Sequence, residues 1–192
     1  MLIGVDIGTQ GTKTALFAEA GRCLARAFRP SKLHRPKLEV GEEDADRHVA
    51  SVCETIRDCV RQARVKDIAG IGIDGQMAGV IGIGADGRAV TPYDSWLDTR
   101  CAPYIAEIPV EEVIRKAGGP ASFNHGSKKL WWKHERPATY RRIRAFVHPG
   151  GYAAMRLCGP DGRGRSLITS IRIFPGSPTI RVGLGTSVCA NG

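Results

Sequence analysis

The chain reads as an α/β domain built on a mixed sheet with flanking helices, and three observations predict it. Three short apolar runs separated by glycine-containing turns open the sequence, a segment with helical apolar spacing follows, and then comes a run that is apolar on both sides. A strand meander, a crossover helix and a buried strand, in that order, make a sheet with both antiparallel and parallel neighbours.

The first run, Leu2-Ile3-Gly4-Val5-Asp6-Ile7, ends in Gly8-Thr9-Gln10-Gly11. The second spans Thr12 to Ala18 and closes at Glu19-Ala20-Gly21-Arg22, and the third spans Cys23 to Phe28. Strands joined by such turns form an antiparallel meander. Residues 29–41, with Pro30, Pro36 and Gly41, read as a loop. Asp44 or Asp46 can cap a helix reaching about Arg64, and Glu42 and Glu43 favour its N-terminal end. Val49, Val52, Cys53, Ile56, Cys59, Val60 and Ala63 recur at three- and four-residue steps, so one face packs on the sheet. The run from Ile68 to Ile73 predicts a strand covered on both faces and parallel to its neighbour. Val80 to Ile83 predicts another strand, closed by the turn Ala85-Asp86-Gly87-Arg88.

From Asp98 the pattern changes to short helices. Segments from Val110 to Lys116, Lys128 to His134, Thr139 to Phe146 and Gly151 to Leu157 each stop at or before glycine or proline. Residues 160–192 differ again, with six glycines, three prolines, no lysine and no glutamate. That composition predicts a disordered tail foreign to the fold, of the kind that translation of a GC-rich gene in a wrong frame produces. A native but unrelated tail is the alternative.

The length of 192 residues suffices for one substantial core but not for two full domains. Hydrophobic residues at 42% and charged residues at 24% exclude disorder for most of the chain. No apolar run approaches the ~20 residues that span a bilayer. The start at Met1 carries neither a basic flank nor a cleavage-type segment, so no secretory signal, no membrane partner and a cytoplasmic location are expected. Cysteines 23, 53, 59, 101, 158 and 189 form no C-x-x-C pair, which argues against zinc frameworks and redox motifs. The five histidines show no metal-ligand spacing, and G-x-S-x-G is absent. A net charge of +9 favours an acidic partner, but four arginines and one aspartate in the tail supply +3 of it. That weakens the case for nucleic acid.

Four constellations carry chemistry. In Asp6-Ile7-Gly8-Thr9-Gln10-Gly11-Thr12-Lys13 a carboxylate ends a strand and a glycine-rich hairpin follows. Backbone N–H groups there can cradle phosphate oxygens, Thr9 and Thr12 can add hydroxyl donors, and Asp6 can hold Mg²⁺. A plain glycine hairpin with a surface aspartate is the competing reading. In Asp74-Gly75-Gln76-Met77-Ala78-Gly79, Gln76 offers a donor and an acceptor that suit a polyol, or the segment is simply a turn. In Ser95-Trp96-Leu97-Asp98-Thr99-Arg100 the indole face suits a sugar while Asp98 and Arg100 suit its hydroxyls. The competing reading is a helix start with Trp96 in the core. The stretch Lys128-Lys129-Leu130-Trp131-Trp132-Lys133-His134 interleaves bases and aromatics, as nucleic-acid binders do. Helical spacing favours Leu130 and Trp131 in the core with the lysines solvated.

Taken in order, D-I-G-T-x-x-x-K, I-G-I-D-G-Q-M-x-G, D-G-R and W-L-D-T-R resemble the N-terminal half of the FGGY carbohydrate kinases, especially xylulokinase-like members. K-K-L-W-W-K-H-E-R-P, F-V-H-P-G-G-Y and R-L-C-G extend the resemblance over about residues 1–159. It implies an actin-like (ribonuclease H-like) domain, ATP and Mg²⁺ as cofactors, and a small sugar or polyol as partner. By the same implication Asp6, Gly8, Thr9, Gln10, Gly11, Thr12 and Lys13 approach the nucleotide phosphates and metal. Gln76, Met77, Trp96, Asp98 and Arg100 then lie at the sugar pocket. Ala78 stands where xylulokinases usually read histidine, which opens the choice to another ketose or polyol. The family's general-base aspartate and adenosine pocket lie in sequence that has no counterpart here, so the second domain is expected to be missing. The chain is then expected to be a truncated kinase, inactive or nearly so alone. A non-catalytic sugar-binding remnant and a basic nucleic-acid module are the alternatives. A homodimer is an expectation that no residue pattern carries.

Overall fold

A computed structural model describes residues 1–120 and 122–158, and the tail expected at 160–192 lies outside them. The meander forms as the pattern predicts. Strands β1 (Leu2–Gly8), β2 (Gly11–Phe17) and β3 (Cys23–Pro30) pair antiparallel in sequence order. Alternation along β1 buries Ile3, Val5 and Ile7 on one face and leaves Leu2, Gly4 and Asp6 on the other. Gly11 is obligatory: its φ is +150°, and a Cβ there would collide with the Arg29 carbonyl and the Phe28 ring.

After a two-residue strand β4 (Glu42–Glu43), helix α1 (Ala45–Ala63) starts on Asp44, whose carboxylate accepts the Asp46 and Arg47 backbone N–H groups. Arg64, in the left-handed conformation, ends it. Val52 and Cys59 pack on Ile3, Val5, Ile7 and Leu16 as the spacing predicts. The inward stripe is also partly polar, because buried Ser51 and Thr55 meet Thr12 and Thr14 of β2, each pair at 2.7 Å. Strand β5 (Gly70–Gly75) returns parallel to β1 and completes the order β3-β2-β1-β5. Its expected cover on both faces is not observed. Among the described residues β5 is the sheet edge, and Ile71 is 46% exposed.

A second sheet was not expected, although its strand from Val80 to Ile83 was. Strands β6 (Val80–Ile83), β7 (Ala89–Asp94) and β8 (Ala145–Val147) join β4 in the antiparallel order β4-β7-β6-β8. Pro92 speaks against a strand in sequence, since it cannot donate to a ladder. It is tolerated because the pairing is irregular between Ile81 and Ile83, opposite that part of β7.

A 3₁₀ turn (Ala102–Glu107) and helices α2 (Val110–Ala117), α3 (His125–Glu135), α4 (Pro137–Tyr140) and α5 (Pro149–Cys158) complete the chain. The helix expected from Thr139 to Phe146 is instead one turn followed by β8. Pairing Ala145, Phe146 and Val147 with β6 buries the two larger side chains, which a short surface helix would leave wet. The lysine face expected on α3 holds for exposed Lys133 but is corrected at Lys128, which is 1% exposed; Trp131 is buried as expected, Trp132 is buried too, and Leu130 is half-buried. No helix among the described residues is long and apolar enough to cross a membrane.

Candidate functional site

β1 and β5 run parallel in the register Ile3↔Ile71, Gly4↔Gly72, Val5↔Ile73 and Asp6↔Asp74. Two copies of nearly the same phrase, Ile-Gly-Val-Asp and Ile-Gly-Ile-Asp, therefore lie side by side and end in adjacent exposed aspartates. Sequence reasoning gave Asp74 no role, although that internal repeat was the signal for it. Asp6 forms an ion pair with Lys13 at 3.6 Å across the hairpin, both side chains half-exposed. The Asp74 carboxylate accepts the Gly75 backbone N–H.

Between the strands, the Gly8–Gly11 turn is pinned by Ser31. Its hydroxyl donates to the Thr9 carbonyl at 2.5 Å, and its N–H donates to the Gln10 carbonyl at 3.1 Å. Thr9 and Gln10 are exposed, so the turn's tip is open to a ligand. The Thr12 hydroxyl faces away. It is buried under α1 against Ser51, so its expected role as a phosphate donor is corrected. The strand's alternation forces this, since Thr12 and Lys13 must point to opposite faces.

Thr9 is where three separated motifs meet. Trp96 Nε1–H donates to Thr9 Oγ1 at 3.0 Å, and the Thr9 hydroxyl donates to Gln76 Oε1 at 3.4 Å. Gln76 is 8% exposed, while Trp96 and Met77 are 48% and 75% exposed. The core reading of Trp96 therefore fails, and an amphipathic aromatic and a thioether stand at the surface beside the hairpin. Ala78 has a φ of +65°, and Gly79 packs so tightly on Tyr93 and the Asp94 carbonyl that no Cβ fits. That close approach sets where Met77 emerges.

Asp98 and Arg100 behave differently from Trp96, two and four residues before them. Asp98 is 2% exposed; its Oδ2 accepts from the Gly41 N–H at 3.0 Å and from Arg100 Nε at 2.8 Å. Arg100 Nη2 also reaches Glu42 at 2.7 Å and Asp94 at 3.1 Å, and its guanidinium lies over the Trp131 ring at 4.2 Å. Lys128 Nζ donates to the Asp98 carbonyl at 2.7 Å, and Trp132 Nε1 donates to Asp94. Burial pushes the Asp94 carboxyl up to about 7 against the opposing pull of Arg100 and Lys128. Asp98 and Arg100, expected at the sugar pocket, make these bonds within the protein and so mount the loop that carries Trp96. Glu42, Asp94 and Asp98 cluster closely enough to suggest a metal, but Arg100 already sits among them.

The model of the FGGY family of carbohydrate kinases, N-terminal domain, matches residues 1–170. The xylulose kinase of Escherichia coli (strain K12) is 29% identical over 163 residues, covering 83% of this chain and 34% of that relative. A gluconate kinase structure from Lactobacillus acidophilus superposes with a TM-score of 0.75 at 25% identity, covering 81% of this chain and 32% of the other. A ligand-bound xylulose kinase from the same organism gives 0.74 at 25% identity, over 81% and 32%. The chain thus spans about a third of the length of the relatives it matches. Its α/β fold is the actin-like fold of sugar kinases, and with strand order, hairpin and Trp96 loop in place, this chain belongs to the FGGY family of carbohydrate kinases, whose N-terminal domain it matches.

Proposed function

We propose that the chain forms the sugar-side part of an ATP-dependent carbohydrate kinase acting on a ketose or polyol. The observation that carries this is the meeting of hairpin, D-G-Q-M loop and Trp96 loop at Thr9, beside the paired strand ends of β1 and β5. Trp96 and Met77 each leave an exposed apolar surface suited to the C–H face of a sugar. Gln76, Asp98 and Arg100 hold those surfaces in place.

ATP with Mg²⁺ fits the hairpin by its donor set. Two adjacent carboxylates, Asp6 and Asp74, match the one or two that Mg²⁺ takes alongside phosphate oxygens, and Lys13 and the turn's N–H groups suit the phosphates. When bound, the metal supplies neutralisation of phosphate charge. Lys13 adds a positive charge on the same face, Gly8 lets the backbone approach closely, and Gln10 and Gly11 complete the turn whose N–H groups face the phosphates. No residue here is assigned as the base that accepts the proton of a sugar hydroxyl. Phosphoryl transfer depends on base, metal and phosphates being positioned together. The 192-residue chain alone is therefore expected to bind rather than turn over.

Thermal unfolding of the full chain with D-xylulose, D-gluconate or MgATP tests this. Stabilisation by one of the sugars, and by MgATP in the parent but not in Asp6→Ala, is the expected result. Salt-dependent retention on DNA with no shift by either sugar would instead support a basic nucleic-acid module. Translating the gene's other two frames beyond codon 159 tests whether the second half of a kinase is encoded there.

A further inference from the structure

Resting on that reading of the site, we infer that Glu43, backed by His48, is a positioning residue that fixes the hydrogen-bond polarity of the Gln76–Thr9–Trp96 node. Both residues are buried, at 3% and 4% exposure. Glu43 Oε1 accepts from Gln76 Nε2 at 3.1 Å, and Glu43 Oε2 lies 3.0 Å from His48 Nε2. Among the described residues, neither side chain hydrogen-bonds to the hairpin or to Trp96. Glu43 comes from β4, His48 from the first turns of α1, and Gln76 from the loop after β5.

The direction of the chain follows from which atoms can donate. An ionised carboxylate only accepts, so it selects the nitrogen of the Gln76 amide. The amide oxygen must then face Thr9. That oxygen also only accepts, so the Thr9 hydroxyl spends its one proton on it and keeps lone pairs outward. Trp96 Nε1–H, a pure donor, takes one of them. Every member is matched, donor to acceptor, from the buried pair to the exposed indole.

His48 fits the same logic at the inner end. With its proton on Nε2 it donates to Glu43, and its Nδ1, which has no hydrogen-bond partner among the described residues, stays a bare acceptor. The opposite tautomer would leave a buried N–H unpaired and two acceptors facing each other. The Gly8 carbonyl, 3.4 Å from Gln76 Nε2, adds a second acceptor on the same side of the amide. Removing Glu43 thus takes away the stronger of two reasons for the amide to point as it does, and a flipped Gln76 would present N–H to Thr9, whose hydroxyl would have to turn its proton away. The Thr9 oxygen that orients Trp96 would then be shared between two donors.

Proton–nitrogen correlation spectra of the indole N–H groups in the full chain test this. Trp96→Phe and Trp132→Phe assign the signals, and the Trp132 signal, held by Asp94, is the internal control. Glu43→Ala is expected to move the Trp96 signal upfield by more than its linewidth while the Trp132 signal stays. Thr9→Val is expected to move it the same way. Glu43→Gln keeps the shape and is expected to give a smaller displacement or a doubled signal, so it carries the test should Glu43→Ala not fold. An unmoved Trp96 signal in the Glu43 variants, beside a moved one in Thr9→Val, overturns the inference. Movement of both indole signals in the Glu43 variants overturns it too, since that is general loosening. The sugar reading is read out separately. If D-xylulose or D-gluconate stabilises the parent, Glu43→Gln should weaken that sugar's apparent affinity by about three- to tenfold. If neither sugar stabilises the parent while the indole signal still follows Glu43, the function fails and the positioning role stands.

Discussion

Trp96 and Arg100 lie four residues apart in one short motif and do opposite kinds of work. Trp96 is half-exposed and tied to the hairpin by one neutral hydrogen bond, whereas Arg100 is enclosed by Glu42, Asp94 and Asp98 and covered by Trp131. A ligand-facing residue must keep surface free for the ligand. The residue that aims it must instead spend its bonds inside the protein. The same division separates Met77 from Gln76.

Breaking the mount should cost the most. Arg100→Met leaves Glu42, Asp94 and Asp98 without their shared cation, and loss of one partner from a buried charge cluster costs about 3–5 kcal/mol. Urea denaturation should show an unfolding free energy lower by that order. A variant as stable as the parent would mean that the cluster is solvated. Gly79→Ala comes next, because its Cβ would press on the Tyr93 ring and the Asp94 carbonyl. Overpacking of this kind costs about 1–3 kcal/mol, readable in the same titration.

Two titratable groups give the fold opposite responses to acid. His125 and His148 stack edge-to-face with centroids 4.6 Å apart, and burial, with help from His148 and Lys128, lowers the His125 pKa from 6.5 to about 4. In that window the unfolded chain binds the proton and the folded chain does not, so stability falls as pH drops from about 6.5 to about 4. Asp94 opposes this. Its raised pKa means that the folded state holds a proton which the unfolded state has released, adding stability as pH falls from about 7 toward 3.8. His125→Phe should therefore flatten the acid loss, measured as unfolding midpoint against pH. An unchanged slope would place the acid response elsewhere.

The smallest effect on stability, and the most telling, belongs to Trp96. Trp96→Ala should change stability by no more than about 1 kcal/mol while abolishing any sugar-induced rise in melting temperature. Trp132→Ala, at a buried and hydrogen-bonded indole, should cost about 3–5 kcal/mol. If the two variants lose similar stability, the division between ligand-facing and mounting residues collapses.

Local pattern was enough to predict the meander, α1 with a cap at Asp44 or Asp46, the parallel strand β5 and the order of the motifs. Each depends on periodicity, turn chemistry or capping within a few neighbouring residues. The glycine turns and the three- and four-residue apolar steps encode these elements locally. The jobs of individual polar residues were not legible in the same way. Nothing near Thr12 in sequence says that Ser51 takes its hydroxyl, and nothing near Lys128 says that the Asp98 carbonyl will bury its ammonium. Those partners are 39 and 30 residues away. Asp98 and Arg100 looked like ligand contacts because charged residues beside a tryptophan suit a sugar as well as they suit each other. Their partners Glu42, Asp94 and Lys128 reach them only through the fold. Asp74 and Glu43 are the converse cases, made notable by strand register and by burial. Sequence alone determined which segments become strands and helices and which motifs they carry, whereas packing decided which polar groups still face outward, because a buried hydrogen bond commits a side chain that its own neighbourhood leaves free.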